Sequence, residues 1–110
     1  MSSIPTVTAA DVERVIRRDF APEQQAEARR LAEAYQDTEP HRVRLAAMKL
    51  ADGDLAELGA SIEIARSDYR DVLACAEYPA YSRLPFDAPK SDRLASDESD
   101  REQYERWLYR

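Results

Sequence analysis

Apolar residues recur at helical spacing along most of this chain, and proline, glycine and helix-capping residues separate the helical segments. An apolar residue at every third or fourth position is typical of an amphipathic helix that buries one face. With 110 residues, the chain is long enough for one apolar core and too short for two independent ones. We therefore predict an all-α protein, with a compact bundle or orthogonal array of four or five short helices plus a C-terminal helix.

The first two predicted helices begin at recognisable signals. Thr8 followed by Asp11 has the form of a capping box, in which each residue satisfies a backbone N–H of the other, so a helix is predicted over Ala9–Asp19. Pro22 suits a first helical position, where its missing N–H costs nothing. A second helix is therefore predicted from Pro22 to about Tyr35.

The third predicted helix is the most buried one. Between Arg42 and Ala51 apolar residues surround nearly the whole helix. Asp52-Gly53-Asp54 ends it, because Gly53 can adopt a left-handed conformation and Asp54 can cap the next helix. The residues predicted to face solvent from this helix are His41, Arg42, Arg44 and Lys49.

The fourth predicted helix carries a narrow apolar stripe from Leu55 to Ala65. Ser67 or Asp68 then offers a new cap, so the following apolar stripe is either a fifth helix or a bent continuation of the fourth. Tyr78-Pro79 ends it, since the residue before a proline is disfavoured in the helical region.

These signals divide the chain into a helical domain over 1–81, a proline-containing connector over 82–96 and an aromatic C-terminal helix over 97–110. Ser99 with Glu102 has the capping-box spacing at the start of the last helix. The predicted core consists of Val12, Ile16, Leu31, Tyr35, Val43, Ala47, Leu50, Leu55, Leu58, Ile62, Tyr69, Val72 and Leu73.

One histidine, one cysteine and two glycines remove most of the side chains from which enzymes and metal sites are built. A metal site needs several converging ligands, so His41 is predicted to be a solvated surface residue. Cys75 lies at the edge of an apolar stripe and is predicted to be a small buried hydrophobe. We predict no catalytic residues, no metal and no cofactor; the weakest hypothesis is an enzyme that uses Glu77 or Asp68 with a pKa tuned by burial.

The net charge of −6 disfavours attraction to phosphate backbones and anionic lipid. No stretch approaches a membrane span, and a lone cysteine needs no oxidising compartment, so a cytoplasmic location without membrane association is expected. The alternative function, which the net charge disfavours, is a nucleic-acid-associated regulator that uses arginines of the first three helices. Those arginines are Arg14, Arg17, Arg18, Arg29, Arg30, Arg42 and Arg44.

The aromatic tail is the best functional candidate in the sequence. Trp, Tyr and Arg are enriched among the residues that dominate protein interfaces. We predict a non-catalytic protein–protein interaction module whose partner is another protein or a second copy of this chain. The tail can dock on its own domain or on a partner, and both arrangements stay open. The candidate interaction surface is Tyr104, Trp107, Leu108 and Tyr109.

Several short motifs resemble those of a group of small, uncharacterised bacterial proteins. The resemblance covers about Val12 to Tyr78 and the tail, and it implies a bacterial, cytoplasmic, helical protein without an assigned activity. The connector matches no part of it. The motifs are Arg42-Val43-Arg44-Leu45-Ala46, Lys49-Leu50-Ala51, Gly53-Asp54-Leu55, Asp68-Tyr69-Arg70-Asp71-Val72-Leu73, Ala76-Glu77-Tyr78-Pro79, Gln103-Tyr104 and Trp107-Leu108.

Overall fold

The computed structural model describes residues 4–110, which form an all-α structure. The predicted fold class is confirmed, and within residues 4–110 there is no strand. None of the helices in that range has both the length and the apolar character that crossing a membrane requires. The α-helices are α1 (Ala9–Asp19), α2 (Gln25–Glu33), α3 (Pro40–Ala51), α4 (Leu55–Glu77) and α5 (Lys90–Leu108), with 3₁₀ turns at Pro22–Gln24 and Tyr81–Arg83.

Helix α1 begins and ends where the sequence predicts, and its capping box is present. The Thr8 backbone N–H donates to the Asp11 carboxylate at 2.9 Å, and this bond lowers the pKa of the Asp11 carboxyl. Val15 and Ile16 face the core, and Phe20 at the end of the helix is also buried. This helix therefore packs one face and leaves the other free for charged residues.

The second helix begins differently from the prediction. Pro22–Gln24 forms a 3₁₀ turn, and the α-helix follows from Gln25 to Glu33. Tyr35 lies just beyond the helix, where its ring is buried and its hydroxyl donates to the Thr38 carbonyl at 2.8 Å. The predicted burial of Tyr35 is confirmed, although the helix ends before it.

Helix α3 is the centre of the fold, as predicted, and its contact with α4 is the most extensive in the structure. Leu50 is an exception to the predicted core, because 36% of it is exposed. The polar residues of α3 were predicted to face solvent, and this prediction is wrong in part. The structure leaves these residues half-buried, namely His41, Arg42, Arg44 and Lys49. Long side chains can bury their stems while their polar heads reach hydrogen-bond partners.

The turn between α3 and α4 follows its predicted chemistry. Gly53 has φ +84° and Asp52 also adopts a left-handed conformation, with φ 49°. The Asp54 carboxylate accepts from the Glu57 backbone N–H at 3.0 Å and so caps α4. A Cβ atom on Gly53 would lie 2.9 Å from the Asp19 carbonyl oxygen, so this turn also needs glycine in order to approach α1.

Helix α4 is bent, which decides between the two predicted alternatives. Asp68 has φ −155° and ψ 98°, and its carboxylate accepts from the Arg70 backbone N–H at 3.1 Å. Asp68 thus restarts the helix in the way the sequence predicts for a cap. The second half then runs to Glu77 and ends before Pro79.

The C-terminal helix is longer than predicted. Helix α5 begins at Lys90, so residues 90–96 belong to it and not to an extended connector. Ser99 and Glu102 lie in the middle of this helix and form no capping box. The first two turns, from Lys90 to Ala95, are exposed, whereas Tyr104 and Leu108 are fully buried. The lack of an apolar stripe in the exposed half explains why helical periodicity did not reveal it.

The close approach at Gly53 generates a prediction about stability. Gly53→Ala should destabilise the protein by about 2 to 4 kcal/mol, because it combines an unfavourable φ with a backbone clash. Urea denaturation followed by circular dichroism measures this change.

The other glycine provides the control. A Cβ on Gly59 would meet Leu31 Cδ2 at 3.7 Å, an ordinary contact, and Gly59 lies inside α4. Gly59→Ala should therefore stabilise the protein by up to about 1 kcal/mol. Equal changes in the free energy of unfolding for the two substitutions would contradict the requirement for glycine at position 53.

Candidate functional site

The aromatic tail lies against its own domain. Tyr104 and Leu108 are fully buried and Trp107 is 8% exposed, so only Tyr109 is available at the surface. The Tyr104 and Trp107 rings are in tilted contact, with centroids 5.6 Å apart. Three of the four residues predicted as an interaction surface are thus part of the core, because a small domain needs all the apolar contact it can bury.

Two arginines of α1 bind the end of α5. Arg14 Nη1 donates to the Leu108 carbonyl at 2.8 Å, and Arg18 Nη1 donates to the Trp107 carbonyl at 2.8 Å. The Arg18 guanidinium also lies 5.2 Å from the Trp107 ring centroid. The last carbonyls of a helix have no partner within the helix and carry partial negative charge, so these contacts satisfy and stabilise the end of α5.

A buried ion pair holds α3 to the end of α4. Glu77 is fully buried and receives three hydrogen bonds from Arg42, the shortest at 2.7 Å. Arg42 also donates to the Tyr78 hydroxyl at 3.1 Å and to Glu39 at 3.0 Å. Hydrogen bonding to Glu77 raises the pKa of Arg42, so this guanidinium stays charged.

Tyr104 lies within electrostatic range of this pair. Burial, and then the charge of Glu77, raise the pKa of the Tyr104 hydroxyl, which keeps it neutral at physiological pH. The hydroxyl has no hydrogen-bond partner among residues 4–110. Tyr104 of the tail is therefore buried within electrostatic range of both charges of the pair.

Neither carboxylate of the enzymatic hypothesis is arranged for acid–base chemistry. Glu77 is enclosed by protein and bound to Arg42. Asp68 restarts α4, and its hydrogen bonds from Arg70 lower the pKa of its carboxyl. The described residues contain no cluster of three or more His, Cys, Asp or Glu side chains that could hold a metal ion.

The single histidine and the single cysteine both differ from their predictions. Cys75 is exposed on α4, so its interpretation as a buried hydrophobe is wrong. His41 is half-buried where solvation was expected, and its Nδ1 is buried without a hydrogen-bond partner. It lines two neighbouring clefts at the start of α3.

The arginines of the nucleic-acid alternative are all engaged within the protein. Arg17 and Arg29 bind Glu13, Arg30 binds Glu27, and Arg44 donates to backbone carbonyls at the end of α2. Arg14, Arg18 and Arg42 make the contacts described above. A phosphate would have to compete with these acceptors, so the arrangement does not favour a phosphate-binding surface.

A different apolar surface lies where α4 passes into α5. Tyr81, Leu84, Pro85, Phe86 and Arg93 line one cleft, which we call the Phe86 surface. Phe86 is 99% exposed and Tyr81 is 42% exposed. A single exposed apolar side chain is common in folded domains, but several that are contiguous, as in this cleft, mark a place where another molecule can bind.

The Phe86 surface is held in a defined conformation. Arg93 Nη2 donates to the Phe86 carbonyl at 2.9 Å, and the Ala88 N–H donates to the Pro85 carbonyl at 3.1 Å. At its base, the buried Asp100 carboxylate accepts from the backbone N–H groups of Ala80 and Tyr81 at 2.9 and 3.0 Å. Asp100 thus fixes the start of this segment against α5.

Sequence reasoning missed this surface because the proline-containing segment has no helical period. Phe86 between two prolines was the available signal, and an apolar residue in such a connector is otherwise unremarkable. Comparison with family models, with curated proteins and with solved structures found no match for the chain. The resemblance to small bacterial proteins therefore stays a prediction.

The buried ion pair generates a second stability prediction. Glu77→Gln should cost about 3 to 5 kcal/mol of unfolding free energy, because it removes the buried counter-charge of the half-buried Arg42 guanidinium and leaves only the exposed Glu39. Glu39→Gln alters the exposed partner of the same arginine and should cost less than about 1 kcal/mol. Urea denaturation of both variants measures their free energies of unfolding. An equal loss in the two variants would contradict the central role of Glu77.

The placement of the tail predicts how its aromatic residues respond to substitution. Trp107→Ala should destabilise the fold by about 3 to 5 kcal/mol, since it leaves a cavity under the arginines of α1. Tyr109→Ala, at an exposed neighbouring position, should change stability by no more than about 0.5 kcal/mol. Thermal denaturation of both variants measures these changes in stability. An unchanged stability of the Trp107→Ala variant would mean that the tail is not docked on this domain.

Proposed function

We propose that this protein is a non-catalytic interaction module that binds a partner protein through the Phe86 surface. The single observation that carries this proposal is the 99% exposure of Phe86 in a segment whose backbone carbonyls accept hydrogen bonds from the Arg93 side chain and the Ala88 N–H. Burying such a side chain contributes about 2 to 3 kcal/mol to association.

The fixed conformation of the segment supports binding. Pro85 and Pro89 restrict the backbone on both sides of Phe86, and the Arg93 hydrogen bond holds its carbonyl. A segment that is already ordered loses little conformational entropy when it binds. Phe86 therefore has the properties of an anchor that enters a pocket on the partner.

The charge around Phe86 indicates what kind of surface it fits. Residues 81–94 contain Arg83, Lys90 and Arg93 against Asp87 and Asp92, whereas the whole chain has a net charge of −6. Among the described residues, Arg83 and Lys90 form no ion pair. A partner with an apolar pocket and an acidic rim would complement this segment.

A cytoplasmic location and a bacterial source belong to the same proposal. The first rests on the lone cysteine, which forms no disulfide within the chain. The second rests on the resemblance of the sequence motifs. In this proposal, the tail residues Tyr104, Trp107 and Leu108 support the binding segment by holding α5 in place and do not themselves touch the partner.

Affinity capture from a lysate of the source organism, with variants of the tagged chain, tests the proposal. Phe86→Ala should abolish or strongly reduce retention of a specific protein, and in purified form should weaken its binding by about tenfold or more. Because Phe86 is almost fully exposed, the Phe86→Ala variant should keep the circular dichroism spectrum and melting temperature of the wild type.

Two exposed residues serve as matched controls. Ile64 on α4 is 51% exposed and Tyr109 is 60% exposed, and neither lines the Phe86 surface. Ile64→Ala and Tyr109→Ala should retain the same protein as the wild type. Loss of binding with Tyr109→Ala and not with Phe86→Ala would move the interface to the tail and refute the proposal.

A further inference from the structure

Helix α4 bends at one residue. Asp68 alone, among the 23 residues of this helix, has non-helical dihedral angles, and the helix continues on both sides of it. The helix contains no proline, and its one glycine, Gly59, lies more than two turns before the bend. The covalent structure therefore allows a straight helix to pass through Asp68. What favours the bent form locally is the Asp68 cap on the Arg70 N–H.

The chain after the bend is tied together as one unit. We call residues 69–110 the C-terminal unit. The Asp100 carboxylate of α5 accepts from the Tyr81 backbone N–H at 3.0 Å, and the Gln103 side-chain amide donates to the Ala76 carbonyl of α4 at 3.2 Å. These bonds join the second half of α4 to α5. The C-terminal unit can therefore change its position as one piece and keep them.

The contacts between this unit and residues 4–67 lie away from the bend. Glu77 binds Arg42 of α3. The Trp107 carbonyl accepts from Arg18 of α1. The same contacts form whether the two units belong to one chain or to two. Two copies can therefore exchange their C-terminal units, because only the conformation at the bend has to change.

An exposed apolar residue lies next to the bend. Ile64 is 51% exposed and lies about one helical turn before Asp68. When two copies exchange units about a two-fold axis, their hinge segments lie beside that axis and face each other. Ile64 of each copy is then the large apolar side chain available to this new contact, which the single chain leaves in water.

We propose that this chain forms a dimer by reciprocal exchange of its C-terminal units, with α4 as a straight helix. Each half of the dimer consists of residues 4–67 of one copy and residues 69–110 of the other. Continuous helical hydrogen bonding through Asp68 and the contact at Ile64 offset the entropy lost on association. Phe86 is exposed in both forms, so binding at the Phe86 surface and the exchange are tested independently.

Light scattering of the size-fractionated full chain, at increasing concentration, measures the dimer. The wild type should dimerise at concentrations below about 1 mM. Asp68→Ala should lower the Kd of the dimer at least about tenfold, because it removes the cap of the bent form and favours helix at this position. Glu98→Ala is the matched control, since it removes an exposed carboxylate from the middle of α5 and should leave the Kd unchanged.

A substitution at Ile64 tests the contact beside the axis. Ile64→Asp should raise the Kd of the dimer at least about tenfold, because it replaces an apolar contact with two negative charges that face each other. The monomer should keep its circular dichroism spectrum, since half of Ile64 is exposed.

NMR of a mixed dimer distinguishes exchange from simple association. Chains labelled with ¹³C and unlabelled chains of the Asp68→Ala variant are mixed in urea and refolded together, and the dimer is isolated. The Arg18 guanidinium lies 5.2 Å from the Trp107 ring centroid. Isotope-filtered spectra of the dimer should therefore show NOEs between Arg18 of one chain and Trp107 of the other.

Four results would each overturn the proposal. The first is a monomer at every concentration up to about 1 mM for both the wild type and Asp68→Ala. The second is an equal Kd for the Asp68→Ala and Glu98→Ala variants. The third is an unchanged Kd for Ile64→Asp, and the fourth is a dimer whose NOEs between Arg18 and Trp107 all lie within one chain.

Discussion

The ion pair between Arg42 and Glu77 is the constraint on which the other parts of the structure depend. A fully buried carboxylate is costly to desolvate unless a well-placed cation and several hydrogen bonds compensate it, and Arg42 provides both. The pair fixes the end of α4 against the start of α3. Because the chain turns directly after Glu77, it also fixes the point from which the Phe86 surface and α5 depart.

Helix α5 completes this arrangement with two kinds of contact, one at its middle and one at its C-terminal end. Asp100 binds the backbone N–H groups that follow α4, and the final carbonyls of α5 bind Arg14 and Arg18 of α1. Between them, Tyr104 is buried within electrostatic range of the ion pair. One helix thereby links the first and last parts of the chain, while its first two turns stay exposed and support Phe86 at the surface.

Sequence reasoning predicted the local features of the fold well. The bounds of α1, the caps at Thr8, Asp54 and Asp68, and the glycine turn at Gly53 are all confirmed, because each depends on backbone chemistry within a few residues. The start of α5 was missed, since its first two turns bury nothing and so carry no apolar period. Leu50 and Cys75 were predicted to be buried but are exposed. The position of a residue in an apolar stripe does not show how far a neighbouring helix covers it.

The sequence by itself determined an all-helical chain, the positions of most helix ends and the face that each helix buries. These follow from spacing, capping and turn chemistry, which act locally. Only the tertiary structure decided that the aromatic tail belongs to the core, that the arginines of α1 and α3 bind carbonyls and carboxylates of the same chain, and that Phe86 remains exposed. Those outcomes depend on which surfaces meet across long separations in sequence, and composition contains no information about that pairing.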